Sequence, residues 1–254
     1  MSDADWLRTG IGDSDADSIT LMGRDVAGEL MGEVTLTQLT FLLVQKRLPS
    51  EGETRLLDAI LVSLADHGLT PTVLAARLTY TGAPESLQGA VAAGLLGSGS
   101  VFLGVVEDTA RFLDELLAQE GSEREVVERA IGERKRVPGL GHPVHKVEDP
   151  RTPRIYEIAE ENGLLGDRLR LLRVVAEVHC EQTGRDLPIN GAGVAGAALA
   201  DLGFPAPLLR GFALLARTAG LLGHLAEEMD QPLGMPLYRE VDERAVYDPP
   251  DPEG

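Results

Sequence analysis

The sequence is poor in the features that mark secreted and membrane proteins. Its 254 residues include a single cysteine, Cys180, which excludes an internal disulfide and fits a reducing cytoplasm. No run of about 18 uncharged apolar residues occurs, so we expect no transmembrane helix. The acidic first residues lack the apolar stretch of a signal peptide. We therefore expect a soluble cytoplasmic protein with no membrane partner.

Positive charge is also scarce. Aspartate and glutamate total 41 against 23 lysines and arginines, which gives a formal net charge of −18, and only three of the basic residues are lysines. Nucleic acid and anionic membranes would be repelled by this charge, so both are excluded as main partners. An anionic small substrate can bind only where cations gather locally.

Sustained alternation of apolar and polar residues, which marks half-buried strands, is missing. Helical signals take its place. A hydroxyl residue followed three positions later by Glu or Gln predicts capping boxes at Thr35, Ser50 and Ser122. Thr70 followed by Pro71 predicts another helix start. The predicted fold class is all-α.

Three apolar segments predict the longer helices. Residues 166–183 and 205–230 each predict one strong helix. Residues 85–119 are rich in Ala, Leu and Gly, and they predict either one long helix or two helices broken near residues 97–99.

Residues 139–151, GLGHPVHKVEDPR, gather two histidines and two cations among turn formers. The glycines and Pro143 disfavour a helix, so His142 is predicted on a loop. Histidine is the side chain that most easily moves protons near neutral pH. Arg151 carries a planar fork of donors that can clamp a carboxylate. Alone, a loop histidine is usually a surface residue, so a functional interpretation needs partners.

The run from Gly191 through Gly193 to Gly196 matches the letters of a dinucleotide-binding fingerprint, G-x-G-x-x-G. Its context does not fit, because Pro188 interrupts the approach and no acid lies between Asp201 and Glu227. We expect these small residues to let helices approach closely instead.

A metal site is not expected. His142 and His145 flank Pro143 and should not share a helical face, while the neighbours His179 and Cys180 point in different directions. No further cysteine or carboxylate at a suitable spacing completes a set of four ligands.

Three further residues are candidates for a site with His142. Arg217 and His224 lie seven positions apart on a predicted helix, hence on nearly the same face. An unpaired charge in that apolar run would be costly, so Arg217 is either a buried salt-bridge partner or a ligand clamp. His67 ends another predicted helix, where a solvated role is an equally good interpretation.

Residues 137–151, VPGLGHPVHKVEDPR, resemble the most specific motif of the citrate synthase superfamily, including the nine-residue spacing from His142 to Arg151. Further matches follow in chain order, among them ADHG at 65–68 and ARTAGLLGH at 216–224. Phe102 and the stretch up to residue 239 resemble citryl-CoA lyases, both stand-alone enzymes and the module of ATP-citrate lyase, more than true synthases.

The resemblance implies an all-α fold with a large domain, residues 19–106 and 211–240, and a smaller inserted domain, residues 107–210. We expect residues 1–18 and 241–254 to be loose, because the tail in particular is acidic and proline-rich. The resemblance also implies a homodimer or higher homo-oligomer, with the site between the domains.

By the same resemblance, His67 and His142 contact the oxaloacetate moiety, with His142 hydrogen-bonded to its carbonyl or hydroxyl oxygen. Carboxylates are clamped by Arg151, Arg217 and Arg239, of which Arg239 acts across the dimer. His224 is the remaining residue assigned to the substrate.

Coenzyme A enters as part of the substrate, and no permanently bound cofactor is implied. The resemblance assigns it to a loop comprising Pro138, Gly139, Gly141, Arg136 and Lys146. Arg134 and Lys135 add positive charge for its phosphates.

Two positions depart from the synthases. The histidine that donates to the thioester enol oxygen aligns with Phe102, as in the lyases, and the catalytic aspartate aligns with Ala192. Alanine cannot transfer a proton, and Asp201 lies nine residues away on the opposite helical face. The sequence therefore keeps residues for an oxaloacetate-like polycarboxylate and lacks those that make an acetyl-CoA enolate.

The leading hypothesis is a citryl-CoA lyase-like enzyme that cleaves citryl-CoA, or a related 3-hydroxy acyl-CoA, to acetyl-CoA and oxaloacetate or another keto acid. His142 would handle the hydroxyl proton, and water or His224 would protonate the enol. One alternative is a catalytically weakened homologue that binds CoA or citrate as a sensor or partner subunit. Another is a citrate synthase-like acyltransferase.

Overall fold

The structure, a computed structural model, describes residues 7–132, 134 and 136–250. Near its start three short antiparallel strands pair in the order β1–β2–β3, and a single π-helical turn over Val26–Leu30 follows. The strands are β1 (Gly12–Ser14), β2 (Ile19–Leu21) and β3 (Arg24–Asp25).

Helices make up most of the remaining described chain, which confirms the all-α prediction. They are α1 (Leu36–Gln45), α2 (Glu51–Ala65), α3 (Pro71–Gly82), α4 (Leu87–Leu96), α5 (Gly104–Leu117), α6 (Glu123–Gly132), α7 (Arg151–Glu161), α8 (Asp167–Thr183), α9 (Gly191–Asp201), α10 (Ala206–Asp230) and α11 (Gly234–Arg244). The predicted strong helices at 166–183 and 205–230 correspond to α8 and α10.

The helix starts follow the predicted caps. The Thr35 hydroxyl accepts from the backbone N–H of Gln38, whose side chain accepts from the N–H of Thr35, and Ser50 exchanges the same pair with Glu53. The two groups of Ser122 and Glu125 are paired in the same way. Each cap satisfies amide groups that a helix start leaves without partners.

The apolar segment at 85–119 forms two helices, α4 and α5, so the second predicted alternative is correct. The break covers residues 97–103, where the N–H groups of Leu103 and Gly104 both donate to the Gly99 carbonyl. Phe102 lies in this connection and is 44% exposed.

The α9 helix lies at the centre of the main hydrophobic core, to which helices α1, α2 and α5–α10 contribute. A Cβ atom on Gly196 would lie 2.2 Å from the Val106 carbonyl oxygen, and one on Gly193 would lie 2.5 Å from the Gly139 Cα. These distances confirm that the glycine run serves close packing. A smaller cluster joins α3, α4 and α10.

Two boundaries differ from the expectation. The sequence predicts residues 12–14 to be loose, but they pair with β2, and α11 continues to Arg244, four residues into the predicted tail. Antiparallel backbone pairing holds β1 without an alternating pattern that sequence could reveal. The predicted loose termini also include residues 1–6 and 251–254, which lie outside the described residues.

The division into two domains remains a prediction. Helix α5 runs across its first boundary, and the main core draws residues from both proposed parts. None of the described helices is both long and apolar enough to cross a membrane.

Candidate active site

The loop that carries His142 is fixed to the segment in front of α9. Gly139 and Gly141 adopt positive φ angles of 84° and 77°, which glycine tolerates best. The Gly141 N–H donates to the Pro188 carbonyl, while Asn190 donates its backbone N–H to Gly139 and its side-chain amide to Gly141. These bonds join the loop to the start of α9, where Ala192 lies.

Three imidazole rings form a cluster, which we call the histidine cluster: His67, His142 and His145. The His142 ring centroid lies 4.5 Å from that of His145 and 5.2 Å from that of His67. The third pair, His67 and His145, is 6.0 Å apart. The loop between α2 and α3 supplies His67, and the loop before α7 supplies the other two.

Hydrogen bonds define the tautomer of His142. The backbone N–H groups of Val144 and His145 donate to His142 Nδ1 at 3.1 and 3.0 Å. A ring nitrogen that accepts these bonds carries no proton, so a neutral His142 holds its proton on Nε2. Burial lowers the pKa of His142, and the neighbouring His145 lowers it further, which favours this neutral form. His142 therefore offers an N–H donor rather than a base.

The histidine cluster overturns the reasoning against a metal. His142 and His145 do come together, because the loop folds into a turn, and the ligand nitrogens of the cluster lie within 4.8 Å of one another. His179 and Cys180 lie on α8, outside the cluster. Metal-bound histidines usually donate their other N–H to an acceptor, whereas His142 Nδ1 accepts two bonds. The geometry favours a hydrogen-bond donor at Nε2 over a metal ligand.

Arg151 is held by a buried acid that the sequence prediction did not single out. The Asp149 carboxylate accepts from Arg151 Nε at 2.9 Å and Nη2 at 2.7 Å, and it accepts the Gly191 N–H at 2.7 Å. Burial opposes the charge of Asp149, yet these bonds hold its pKa well below the ordinary value. A Cβ atom on Gly191 would lie 2.3 Å from Arg151 Nε, so this position requires glycine.

Asp149 occupies one edge of the Arg151 guanidinium, and Arg151 Nη1 donates to the Ser63 carbonyl at 3.3 Å. Only the remaining N–H groups of Arg151 can reach a ligand. Arg151 therefore uses part of the donors of its predicted carboxylate clamp on groups of the protein itself.

Arg217 on α10 is a buried cation that lacks a full set of partners. Its side chain is 7% exposed, and its Nε and Nη1 atoms have no hydrogen-bond partner among the described residues. The nearest carboxylate oxygen, on Asp66, is 3.8 Å from Nη1. Burial lowers the pKa of Arg217, and the positive charge of nearby Arg151 lowers it further. A buried cation beside a second cation, with donors unused, is suited to bind a carboxylate.

His224 is engaged by Asp66, the residue before His67. His224 Nε2 lies 2.8 Å from Asp66 Oδ1, and the Gly68 N–H donates to Asp66 Oδ2 at 2.8 Å. Burial works against the charge of Asp66, but these bonds lower its pKa overall. The pair links the His67 loop to α10, so His224 acts on the site through Asp66. Sequence reasoning did not assign Asp66, since only contact with α10 reveals its role.

The residues predicted to bind coenzyme A surround the same loop. Arg136 is exposed, and Lys146 Nζ donates to the His142 carbonyl at 3.1 Å. Pro138, Gly139 and Gly141 form the turn before His142. Arg134 pairs with Glu115 at 2.8 Å. Lys135 lies outside the described residues.

Arg239 is exposed and lies on α11, whereas the histidine cluster comes from the loops before α3 and α7. No ion pair of its side chain occurs within the part of the chain that the structure describes. An exposed, unpaired arginine is compatible with the expected action across a dimer.

Asp201, which the sequence predicts cannot replace the missing aspartate, has a structural role. Asp201 accepts from the backbone N–H groups of Arg168 and Leu169 at 3.0 and 2.9 Å and thereby caps α8. Ala192 lies in the first turn of α9 and is half-buried. Both features agree with a site that lacks an acid at this point.

Comparison with known proteins gives the family and the fold. A family described as "Citrate synthase, C-terminal domain" matches residues 35–239. Among curated proteins, "ATP-citrate synthase beta chain protein 2" of Arabidopsis thaliana is 27% identical over 76% of this chain and 34% of its own length. A citrate synthase of Synechocystis is 27% identical over 74% of this chain and 48% of its own. The chain thus spans less than half the length of these relatives.

Comparison with solved structures gives the same family of folds. The citryl-CoA lyase of Hydrogenobacter thermophilus aligns with a TM-score of 0.88 and 32% identity, over 96% of this chain and 95% of that one. The ATP citrate lyase of Methanothrix soehngenii, in complex with citrate and coenzyme A, aligns with a TM-score of 0.81 and 23% identity, over 97% of this chain and 42% of that one. The second likeness concerns the fold alone.

Proposed function

The chain belongs to the citrate synthase family, and we propose that it is a citryl-CoA lyase. It would cleave citryl-CoA, or a related 3-hydroxy acyl-CoA, to acetyl-CoA and oxaloacetate or the corresponding keto acid. The likeness to the Hydrogenobacter thermophilus lyase supports this choice, because it extends over nearly the full length of both chains. The observation that carries the proposal is the buried, underpaired Arg217 beside Arg151.

We call His142, Arg151 and Arg217 the keto-acid side of the site. Arg217 would bind a substrate carboxylate with its free donors, and Arg151 would add positive charge and its remaining N–H groups. The Nε2–H of His142 would donate to the oxygen that changes from hydroxyl to carbonyl during cleavage. His67, and Arg239 from the second subunit of a homodimer, would complete the clamp.

Coenzyme A would reach this site along the loop at 136–146, where exposed Arg136 and Lys146 can meet its phosphates. The loop lies against the start of α9, so the thioester would point toward Phe102 and Ala192, which we call the thioester side. Coenzyme A is here a part of the substrate rather than a resident cofactor. Soluble, cytoplasmic function is part of the same proposal.

The thioester side bears on which reaction this chain is suited to assist. Condensation requires removal of a proton from the acetyl methyl group, and Ala192 cannot accept one. Cleavage makes the enolate by breaking a carbon–carbon bond, and water can protonate it afterwards. Cleavage is therefore favoured over a synthase-like acyl transfer.

The test is to incubate the purified chain with citryl-CoA and follow oxaloacetate through its reduction by malate dehydrogenase and NADH. Turnover that depends on the chain supports the proposal. The absence of turnover with both citryl-CoA and citramalyl-CoA would refute it.

A second candidate function is a catalytically weakened homologue that binds CoA or citrate as a sensor or partner subunit. The observation in its favour is Ala192 at the start of α9, with Asp201 committed to capping α8. It predicts heat of binding in titration calorimetry with citrate or CoA, together with no turnover by the wild-type chain.

A further inference from the structure

Cleavage of a 3-hydroxy acyl-CoA needs a base. The hydroxyl proton leaves, its O–H electron pair forms the carbonyl of the keto acid, and the carbon–carbon bond gives its electron pair to the thioester enolate. The enolate carbon then takes a proton from water. One group must therefore accept the hydroxyl proton and later return it to solvent.

His142 is unsuited to this task. Its Nδ1 lone pair accepts two backbone N–H groups, and its Nε2 already carries a proton. A second proton, placed on Nδ1, would face the backbone N–H groups of Val144 and His145 and repel them. His142 can stabilise the oxygen with a hydrogen bond, but it has no free lone pair.

The carboxylates near the site are also committed. Asp149 is fully buried and bonded to Arg151 and to the Gly191 N–H, and its pKa is held far below the ordinary value. Asp66 is bonded to His224 and Gly68, and its pKa is lowered as well. A carboxylate with a lowered pKa is a weak base.

The ring nitrogens of His145 are free, unlike Nδ1 of His142. Its ring stacks on that of His142 with 28° between the planes, and it is half-buried. Neither of its ring nitrogens forms a hydrogen bond with the described residues, so a lone pair is available. Its own backbone N–H is one of the two donors to His142 Nδ1, so both histidines belong to the same turn.

We infer that the His145 imidazole is the catalytic base that accepts the substrate hydroxyl proton, while His142 donates to the same oxygen. This inference rests on the proposed lyase function. His67 also has free nitrogens, but it is exposed and comes from another loop. The charged and titratable groups around the pair are His67, Lys146 on the same loop, and Asp149 with Arg151 at the start of α7.

The experiment compares wild type, His145→Gln and a matched control in the same loop, Val147→Gln, whose native side chain is 90% exposed. Citryl-CoA is the substrate, and kcat and KM are measured across pH. We expect His145→Gln to lower kcat by about 10²-fold or more with little change in KM. The fall of kcat at acid pH, caused by protonation of the base in wild type, should disappear in the variant. Val147→Gln should stay within about twofold of wild type, as exposed substitutions usually do.

The outcomes separate this inference from the proposed function. An active wild type whose His145→Gln variant keeps its kcat, or keeps the fall at acid pH, overturns the role of His145 and leaves the lyase function standing. A wild type without turnover overturns the lyase function itself. If the glutamine variant does not fold, as judged by circular dichroism, His145→Asn takes its place.

Discussion

The keto-acid side and the thioester side are built from different kinds of residue. On the keto-acid side, Asp149 holds Arg151, and two backbone N–H groups fix the tautomer of His142. Arg217 on the same side is buried and keeps donors free. On the thioester side stand Phe102 and Ala192, which can neither donate nor accept a proton. The difference suggests a division of tasks, which we propose for this chain: the keto-acid side would still bind a polycarboxylate, while the thioester side has no residue that could enolise a thioester.

The largest expected effect comes from removing the free cation of the keto-acid side. Arg217→Met should lower kcat/KM for citryl-CoA by about 10³-fold, because two or three charge-assisted hydrogen bonds to a carboxylate are lost. The same variant should be at least as stable as wild type, because a buried cation with unused donors is removed. Steady-state kinetics and thermal unfolding measure the two effects.

Arg170→Met is the matched control, since Arg170 is 58% exposed and pairs with Asp167 on the surface. It should leave both quantities nearly unchanged. A marked loss of stability in Arg217→Met would show that Arg217 is a structural ion-pair partner rather than a ligand clamp.

The second largest effect should come from changing Asp149, the buried acid that holds Arg151. Asp149→Asn leaves Arg151 without its counter-charge and should cost roughly 2–4 kcal/mol of the free energy of unfolding. Because the folded-state pKa of Asp149 is lowered, its stabilisation is present above the ordinary carboxyl pKa and is lost as pH falls. Wild type should therefore lose more stability than the variant on acidification below about pH 4. Denaturant melts at several pH values measure this.

Asp167→Asn is the control for this comparison, because the Asp167 side chain is 74% exposed in its ion pair. Its cost should be under about 1 kcal/mol. Equal costs for the two substitutions would contradict the assignment of Asp149 as a buried anchor of Arg151.

The smallest effect should come from restoring an acid on the thioester side. Ala192→Asp should raise the exchange of acetyl-CoA methyl protons with D₂O by about tenfold, since a positioned acid–base group then faces the thioester. Ala192→Asn has the same shape without proton transfer and should show no gain. Proton NMR of acetyl-CoA in D₂O measures the exchange. Equal behaviour of the two variants would mean that position 192 does not face the thioester.

Much of the fold was accessible from sequence because its signals are local. The capping pairs at Thr35, Ser50 and Ser122 and the break after Gly97 depend on residues within a few positions. The candidate loop was also recognisable, since glycines, prolines and histidines lie together in it.

The roles of individual side chains depend on contacts that spacing does not record. The position of Pro143 between His142 and His145 predicts that they share no helical face, yet the turn stacks their rings. The role of Asp149 depends on a hydrogen bond from Gly191, which lies 42 positions away in the chain. The role of Asp66 depends in the same way on His224, which lies 158 positions away. The assignments of the two-domain division, the dimer and the coenzyme A loop stay predictions.

The most direct test of the difference between the keto-acid side and the thioester side uses the wild-type protein alone. It is made in D₂O with two substrates. Citryl-CoA is supplied in one reaction and acetyl-CoA in the other, and NMR follows oxaloacetate release and methyl-proton exchange respectively. We expect release of oxaloacetate from citryl-CoA, while the methyl protons of supplied acetyl-CoA are retained over the same period. Exchange of those protons at a rate similar to cleavage, or exchange without any cleavage, would contradict the account.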